Sequence, residues 1–188
     1  MTQLRVEALG PSLAASEMLS DLLIETVANN GSVSFMHPLD RKAAQAFWDD
    51  ALASAARGER VVFGAWDGDS LVGTVTLLLN CPPNQPHRAE ISKMMTRVSH
   101  RGRGIATMLM RAAEACAVER SRTLLVLDTA VEDGASTLYE RLGFVLAGGA
   151  IQRFGTPEQQ QQHLRATLAT DHVWCQLFSE PGAGSDLG

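Results

Sequence analysis

The spacing of apolar residues along the chain switches repeatedly between the two-residue period of a strand and the 3.6-residue period of a helix. The first stretch, 4–9, alternates and predicts a short strand. Over 12–28, leucine, methionine and valine recur on one helical face, which predicts the first helix. A second helix is predicted over 40–57, entered at Asp40 and ended near Gly58.

The middle of the chain predicts a hairpin, a strand and a third helix. Two apolar runs flank DGDS, at 67–70, which is typical of a β-hairpin turn. A Pro/Asn-rich loop at 81–87 precedes a predicted strand over 88–96, and a helix follows over about 103–119. The letters GDSL at 68–71 also spell the nucleophile motif of a lipase-like hydrolase family. They lie between two strands and not at a strand-to-helix elbow, which favours the turn.

The last third of the chain predicts a strand, a helix and two closing strands. TLLVLDT, at 123–129, is almost wholly apolar, as expected of a strand covered on both faces. A short helix is predicted over 134–142, and FVLAGGAIQRF and DHVWCQLF predict an antiparallel pair after it. We expect one domain over 1–179 and a flexible tail over 180–188.

Composition and charge exclude several classes of protein. The chain has 188 residues, 45% of them hydrophobic, and its longest apolar runs are strand-sized, so we expect a globular protein that does not enter a membrane. Three scattered cysteines and the absence of a signal pattern favour the cytoplasm. The net charge of −5 argues against a nucleic-acid partner. The histidines lack metal-ligand spacing, so no metal site is predicted.

One segment departs from this acidic character. Residues 93–111 hold five Lys/Arg and no Asp/Glu. Gly102 and Gly104 permit a tight turn just before a helix, whose free N–H groups and dipole point back into that turn. Arg101 and Arg103 add mobile positive charge. The segment therefore predicts an anion site suited to a diphosphate, although a plain helix start with a glycine turn stays open on these residues alone.

The wider pattern identifies a family. RGRGIA fits Arg-x-x-Gly-x-Ala and resembles the acetyl-coenzyme-A signature of the GCN5-related N-acetyltransferase (GNAT) superfamily. GASTLYERLGF, at 134–144, resembles the helix that follows in this family, and the order of elements agrees over nearly the whole chain. The resemblance implies a mixed α/β fold, in which about four helices flank a mostly antiparallel sheet of about seven strands, splayed at strand 88–96. SVSFMHPLD, RAEISKMM and LLVLDT further resemble the tabtoxin-resistance branch of this superfamily.

The resemblance also implies how acetyl-CoA is bound. In this family the strand before the signature is bulged and pairs with the pantetheine arm, which here places Met94, Met95 and Thr96 along that arm. The diphosphate is then held by backbone N–H groups of the signature, at Arg101, Gly102, Arg103, Gly104, Ile105 and Ala106. One position departs, because Glu132 stands where the family often has asparagine, and we do not carry that contact over.

Acetyl transfer to an amine needs a base, a donor to the oxyanion and a proton for the leaving thiolate. Glu90 lies six residues before Thr96, where histone-type members carry a catalytic glutamate, and it is the predicted base. Asp128 ends the next strand and is a second carboxylate candidate. A backbone N–H near Met95 is the expected oxyanion donor, and Tyr139 is the expected acid.

Each catalytic candidate has a structural alternative that the sequence leaves open. Glu90 is alternatively an ion-pair partner of Arg88 or Lys93, Asp128 a cap of the turn before the last helix, and Tyr139 a core aromatic. Three apolar residues around the second helix line the acceptor site in this fold or belong to the core; these are Phe35, Met36 and Trp48.

We therefore predict an acetyl-CoA-dependent N-acetyltransferase that acts on the primary amine of a small molecule by direct attack on the thioester. Two alternatives are an enzyme that acetylates protein or peptide amines and a CoA-binding regulatory protein without turnover. The sequence leaves both a monomer and a homodimer open.

Overall fold

The structure is a computed structural model that describes residues 4–129, 135–144 and 156–158. Its strands are β1 Leu4–Leu9, β2 Arg60–Asp67, β3 Ser70–Leu78, β4 Arg88–Thr96 and β5 Leu124–Leu127. Its helices are α1 Leu13–Ala28, α2 Arg41–Ala56, α3 Ile105–Glu119 and α4 Ala135–Arg141, with one 3-10 turn at Val98–His100. Every element predicted for this part of the chain is present, with bounds that agree to within about two residues. The two predicted closing strands and the tail lie outside the described residues.

The described strands form one sheet in the order β1-β2-β3-β4-β5. Neighbours from β1 to β4 are antiparallel, whereas β4 and β5 are parallel. A parallel pair needs a crossover, and α3 supplies it between β4 and β5. The predicted mixed α/β class with a mostly antiparallel sheet is confirmed. The four side chains of β5 are only half-buried, less than its apolar sequence led us to expect.

The core lies between the sheet and helices on both faces. Buried side chains of α1 and α2 form one apolar cluster with residues of β2, β3 and β4 that include Trp66, Leu71 and Met95. On the other face α3 approaches β3 closely, because a Cβ on Gly73 would lie 2.9 Å from Ile105 Cγ2. The sheet, α1, α2 and α3 belong to a compact unit that ends at Leu138, and a second unit begins at Tyr139.

The long helices begin in two different ways. Ser12 Oγ accepts a hydrogen bond from the N–H of Ala15 at 3.1 Å, and Asp40 Oδ2 caps α2 in the same manner, as predicted. α3 begins at Ile105, two residues later than predicted, because its N-cap Gly104 adopts a left-handed conformation with φ 77°. Gly104 has no side chain, so no side-chain cap occupies the first N–H groups of α3.

Candidate active site

β4 contains a bulge in front of the signature. On β3 a single residue separates Thr74 from Thr76, whereas two residues, Lys93 and Met94, separate their partners on β4. Lys93 has a positive φ of 51°, which lies in the left-handed region. The extra residue interrupts the ladder with β3 and redirects the strand. The bulge that the family resemblance implied is therefore present.

The sheet opens on the other side of the same strand. β5 pairs with β4 from Arg88 opposite Leu124 to Ile91 opposite Leu127, and its strand ends there. β4 continues to Thr96, so the stretch 92–96 extends beyond the paired region. The predicted pantetheine residues Met94, Met95 and Thr96 lie along this stretch. The Met95 side chain is buried in the core.

The glycine turn, residues 101–104, leads directly into α3. Gly102 and Gly104 have φ values of 75° and 77°, a backbone conformation that residues other than glycine rarely adopt. A Cβ at either position would have no protein atom within 4 Å. The turn therefore leaves open space beside an uncapped helix start, and the N–H groups of Ile105 and Ala106 lie in that first turn. This geometry suits an anion.

The two arginines of the glycine turn have different environments. Arg103 Nη1 forms an ion pair with Asp67 Oδ2 at 3.0 Å, and His100 Nε2 lies 3.6 Å from the same oxygen. The positive charge of Arg103 is thus held by the β2–β3 hairpin, whereas the sequence led us to expect a mobile charge. Arg101 is exposed and forms no ion pair within the described part of the chain.

A second ion pair fixes the segment that leads into the glycine turn, and the sequence did not predict it. Arg97 Nη1 lies 2.5 Å from Glu25 Oε2, and the other carboxylate oxygen accepts from the N–H of Val98 at 2.9 Å. Arg97 Nε donates to the carbonyl of Leu71 at 2.9 Å. These bonds fix the end of β4 to both α1 and β3. No local pattern signals a pair separated by 72 residues.

Glu90 lies on β4 shortly before the bulge, between Leu78 of β3 and Val126 of β5. Its side chain is 35% exposed, and Oε2 accepts from Arg88 Nη2 at 3.2 Å. The structural alternative, a pair with Arg88, therefore exists in the molecule. Partial exposure also leaves the carboxylate accessible to water, so this pair does not remove Glu90 as a candidate base.

Asp128 follows the last residue of β5 directly and is exposed. Since Ile91 pairs with Leu127, Asp128 lies one step beyond the final pair, where the two strands separate. Glu90, one residue before the last β4–β5 pair, and Asp128, one residue after β5, thus lie near the point where the sheet opens. The predicted capping of the turn before α4 falls on residues 130–134, outside the described residues.

Tyr139 lies in α4 and is buried. Its ring packs edge-on against Phe144, with 5.9 Å between the centroids. Burial raises the pKa of the phenol above its ordinary value, so the hydroxyl stays protonated at neutral pH. This environment is compatible with the predicted acid and with the alternative of a core aromatic.

Lys93 projects from the bulge over two aromatic rings. Its Nζ lies 5.7 Å from the ring centroid of Phe35 and 5.6 Å from that of Phe47. Burial lowers the pKa of Lys93, while the charge of Glu90 acts in the opposite direction. Of the other two predicted acceptor-site residues, Trp48 is fully buried in the core and Met36 is 86% exposed. Sequence analysis had not singled out Phe47.

Two absences hold for the described ranges. None of the helices there is long and apolar enough to cross a membrane. Across 4–129, 135–144 and 156–158, no group of three or more His, Cys, Asp or Glu is arranged to hold a metal ion.

A family model described as "Acetyltransferase (GNAT) family" matches residues 24–144. The chain belongs to this family. The predicted superfamily and the N-acetyltransferase class are thereby confirmed, and GNAT enzymes use acetyl-CoA as their acetyl donor. The narrower likeness of this acetyltransferase to the tabtoxin-resistance branch stays a prediction.

Curated relatives match the acetyltransferase only in part. It is 35% identical over 94 residues to N-acetyltransferase 8F1 of Rattus norvegicus, covering 49% of this chain and 41% of the rat protein. It is also 56% identical over 41 residues to the acyl-CoA dehydrogenase FadE34 of Mycobacterium tuberculosis, covering 22% of this chain and 6% of that enzyme. The chain therefore spans less than half the length of each of these relatives.

A solved structure shows the same fold with its donor. The crystal structure of a predicted acetyltransferase with acetyl-CoA from Clostridium acetobutylicum superposes with a TM-score of 0.61 at 17% identity. The match covers 77% of this chain and 92% of that one. At this identity the likeness shows the fold alone.

Proposed function

We propose that the protein is an acetyl-CoA-dependent N-acetyltransferase that acetylates the primary amine of a small molecule by direct attack of the amine on the thioester. The observation that carries the proposal is the uncapped start of α3 behind two left-handed glycines, next to a bulged strand at the opening of the sheet. This combination suits a long ligand with an anionic end and an amide-bearing arm.

The donor site is proposed on two adjoining segments. Backbone groups of Met94, Met95 and Thr96 would pair with the pantetheine arm, since the stretch 92–96 extends past β5. The N–H groups of residues 101–106 would hold the diphosphate, because the space that Cβ atoms of Gly102 and Gly104 would fill is open. When bound, acetyl-CoA supplies the activated carbonyl that the amine attacks.

The catalytic roles are proposed for three side chains and one backbone group. Glu90 takes the proton of the acceptor ammonium through a water molecule, which its partial exposure allows. A backbone N–H near Met95 donates to the developing oxyanion, because the bulge perturbs the ladder there. Tyr139 supplies the proton to the leaving thiolate. Asp128, at the end of β5, acts with Glu90 or in its place.

The protein is proposed to act in the cytoplasm. Cys81 and Cys116 are free thiols and half-buried, which suits a reducing compartment. The third cysteine, Cys175, lies outside the described residues.

The test is a screen of the purified protein for thiol release from acetyl-CoA over a panel of amino acids, other small amines and peptides. Mass spectrometry of the acceptor must show the acetylated product. Release with small amines and none with peptides supports the proposal, whereas the reverse favours a peptide acetyltransferase. Tight binding of acetyl-CoA without transfer to any amine identifies a CoA-binding regulatory protein instead.

A further inference from the structure

Lys93 is an unusual residue for its position. It is a charged side chain at a strand bulge, with a left-handed backbone that favours glycine or asparagine. Its side chain is half-buried and lies against the aromatic rings of Phe35 and Phe47. An exposed loop would place a lysine at less conformational and solvation cost, so its presence here needs a reason.

Among the described residues, the ammonium of Lys93 has no carboxylate partner that neutralises it. Within the described residues Lys93 forms no ion pair, although the charge of Glu90 is close enough to act on it. Glu90 Oε2 already accepts from Arg88 at 3.2 Å. The two aromatic rings attract the ammonium through their π faces, but they accept none of its three N–H donors in ordinary hydrogen bonds. The site therefore retains unused capacity to bind an anionic group.

The position of Lys93 on β4 connects its capacity to bind an anion with the proposed acceptor. Lys93 lies two residues beyond Ile91, the last residue of β4 that pairs with β5, so it stands where the sheet opens. Phe47 belongs to α2, and Phe35 to the loop before it, on the face of the sheet opposite α3. The negative charge of Glu90 and the positive charge of Lys93 thus stand three residues apart on one strand. This arrangement complements a molecule that carries an ammonium and a carboxylate.

We propose that Lys93 binds the carboxylate of the acceptor, so that the preferred substrates are amino-carboxylic compounds with a free amine. This inference rests on the proposed function and specifies its substrate class. A carboxylate is favoured over a phosphate because the chain offers a single ammonium here, and a monoanion matches that charge. The amine of the same molecule then faces Glu90.

The chain offers matched variants for the test. Lys93→Met keeps an unbranched apolar stem that ends one atom short of Nζ and removes the charge, and Lys93→Arg keeps the charge. Lys42 is the only other lysine of the sequence, is exposed on α2, and serves as Lys42→Met for a control of equal charge change. Circular dichroism and the KM for acetyl-CoA show whether each variant is folded and binds its donor.

The measurement is the ratio of kcat/KM for ω-amino acids and their carboxamides, taken within each variant. We expect wild type, Lys93→Arg and Lys42→Met to prefer the acid by about tenfold or more, the size of one charge-assisted contact. Lys93→Met should lose that preference, with an unchanged KM for acetyl-CoA. An equal ratio in wild type and Lys93→Met overturns the proposal.

A second readout separates this inference from the proposed function. Binding of the ω-amino acids to the CoA-loaded protein is measured by calorimetry in wild type and Lys93→Met. If wild type acetylates no amine but binds the acids in a Lys93-dependent way, the carboxylate site stands and the enzymatic proposal fails. Acetylation of amines without dependence on Lys93 in either readout leaves the enzyme and removes the carboxylate site.

Discussion

At the scale of single residues, Glu90 combines two properties that a substitution can separate. Its carboxylate accepts from Arg88, and it is the proposed base. We predict that Glu90→Gln, which retains an oxygen for Arg88, lowers kcat/KM by roughly 10²–10⁴ because it removes the base. The acidic limb of the pH–rate profile should also change form. The pH–rate profiles of wild type and Glu90→Gln are measured between about pH 6 and 9.5, which spans the reference titrations of histidine and many amines.

The control for this variant is Glu59→Gln. Glu59 also pairs with an arginine two residues away, Arg57, at 2.8 Å, but it lies before β2. It should lose an ion pair without losing activity. If Glu90→Gln leaves the rate and the limb unaltered, Glu90 is only a partner of Arg88, and Asp128→Asn becomes the decisive variant.

For Tyr139, the direction in which stability changes with pH can be predicted. Burial raises its pKa, so the neutral phenol contributes stability that is present below the unfolded pKa of about 10 and is lost as pH rises through the folded value. A proton donor with a raised pKa produces no alkaline limb below about pH 10. We predict that Tyr139→Phe lowers kcat and leaves the affinity for acetyl-CoA nearly unchanged, because the hydroxyl acts late in the reaction.

The sequence contains one tyrosine, so phenolate absorbance during an alkaline titration reports Tyr139 alone. The midpoint in the folded protein should lie above about 10. A kcat that is the same in Tyr139→Phe and wild type would identify the ring as a core aromatic packed on Phe144.

At the scale of elements, the glycine turn and α3 form the part of the site that a single backbone change should disable. We predict that Gly104→Val abolishes acetyl-CoA binding, since the β-branched side chain would fill the open space beside the first N–H groups of α3. Titration calorimetry on the folded variant measures this directly.

Gly58 provides a control with the same backbone strain. Its φ is also 77°, and a Cβ there also meets no atom within 4 Å, but it follows α2 and lies away from the glycine turn. Gly58→Val should lower stability to a similar extent and leave acetyl-CoA affinity unchanged. Equal affinity in Gly104→Val and wild type would place the diphosphate elsewhere.

The elements also show which features could be predicted from the sequence. Local chemistry sufficed for the Asp40 cap, the DGDS turn and the two left-handed glycines, because each signal lies within a few residues of its effect. Contacts between distant elements could not be predicted, since periodicity identifies a buried face but not its partner. The pairs Glu25–Arg97 and Asp67–Arg103, and the placement of Phe47 against Lys93, are of this second kind.

At the scale of the whole molecule, the family match does not cover the whole chain. The family match ends at residue 144 and leaves 44 residues after it and 23 before it. The longer of the two unmatched stretches follows residue 144. The predicted domain over 1–179 assigns most of that stretch to the acetyltransferase, and it stays a prediction.

The charge of the whole molecule and the charge of the glycine-turn region have opposite signs. The chain carries −5, whereas residues 93–111 carry five cations and no acid. Glu25 and Asp67 neutralise two of those cations, Arg97 and Arg103, from outside the segment. Arg101 is exposed and forms no ion pair within the described residues, whereas Arg103 is exposed but paired. An anionic donor therefore meets a repulsive field at long range and an attractive one at short range.

The dependence of donor binding on salt shows which field dominates. The Debye length falls from about 30 Å at 0.01 M to about 10 Å at 0.1 M, so salt removes the long-range field first and then weakens exposed short-range contacts. We predict that the Kd for acetyl-CoA rises as salt increases. The diphosphate would bind within one Debye length of the Arg101 charge, and salt weakens that attraction. Arg101→Gln should flatten this dependence.

Arg120→Gln makes the same charge change at the other end of α3, roughly 22 Å away along a 15-residue helix, and should preserve the salt dependence. A Kd that falls with salt in wild type would mean that the net charge of −5 governs association and that the turn offers no dominant anion site.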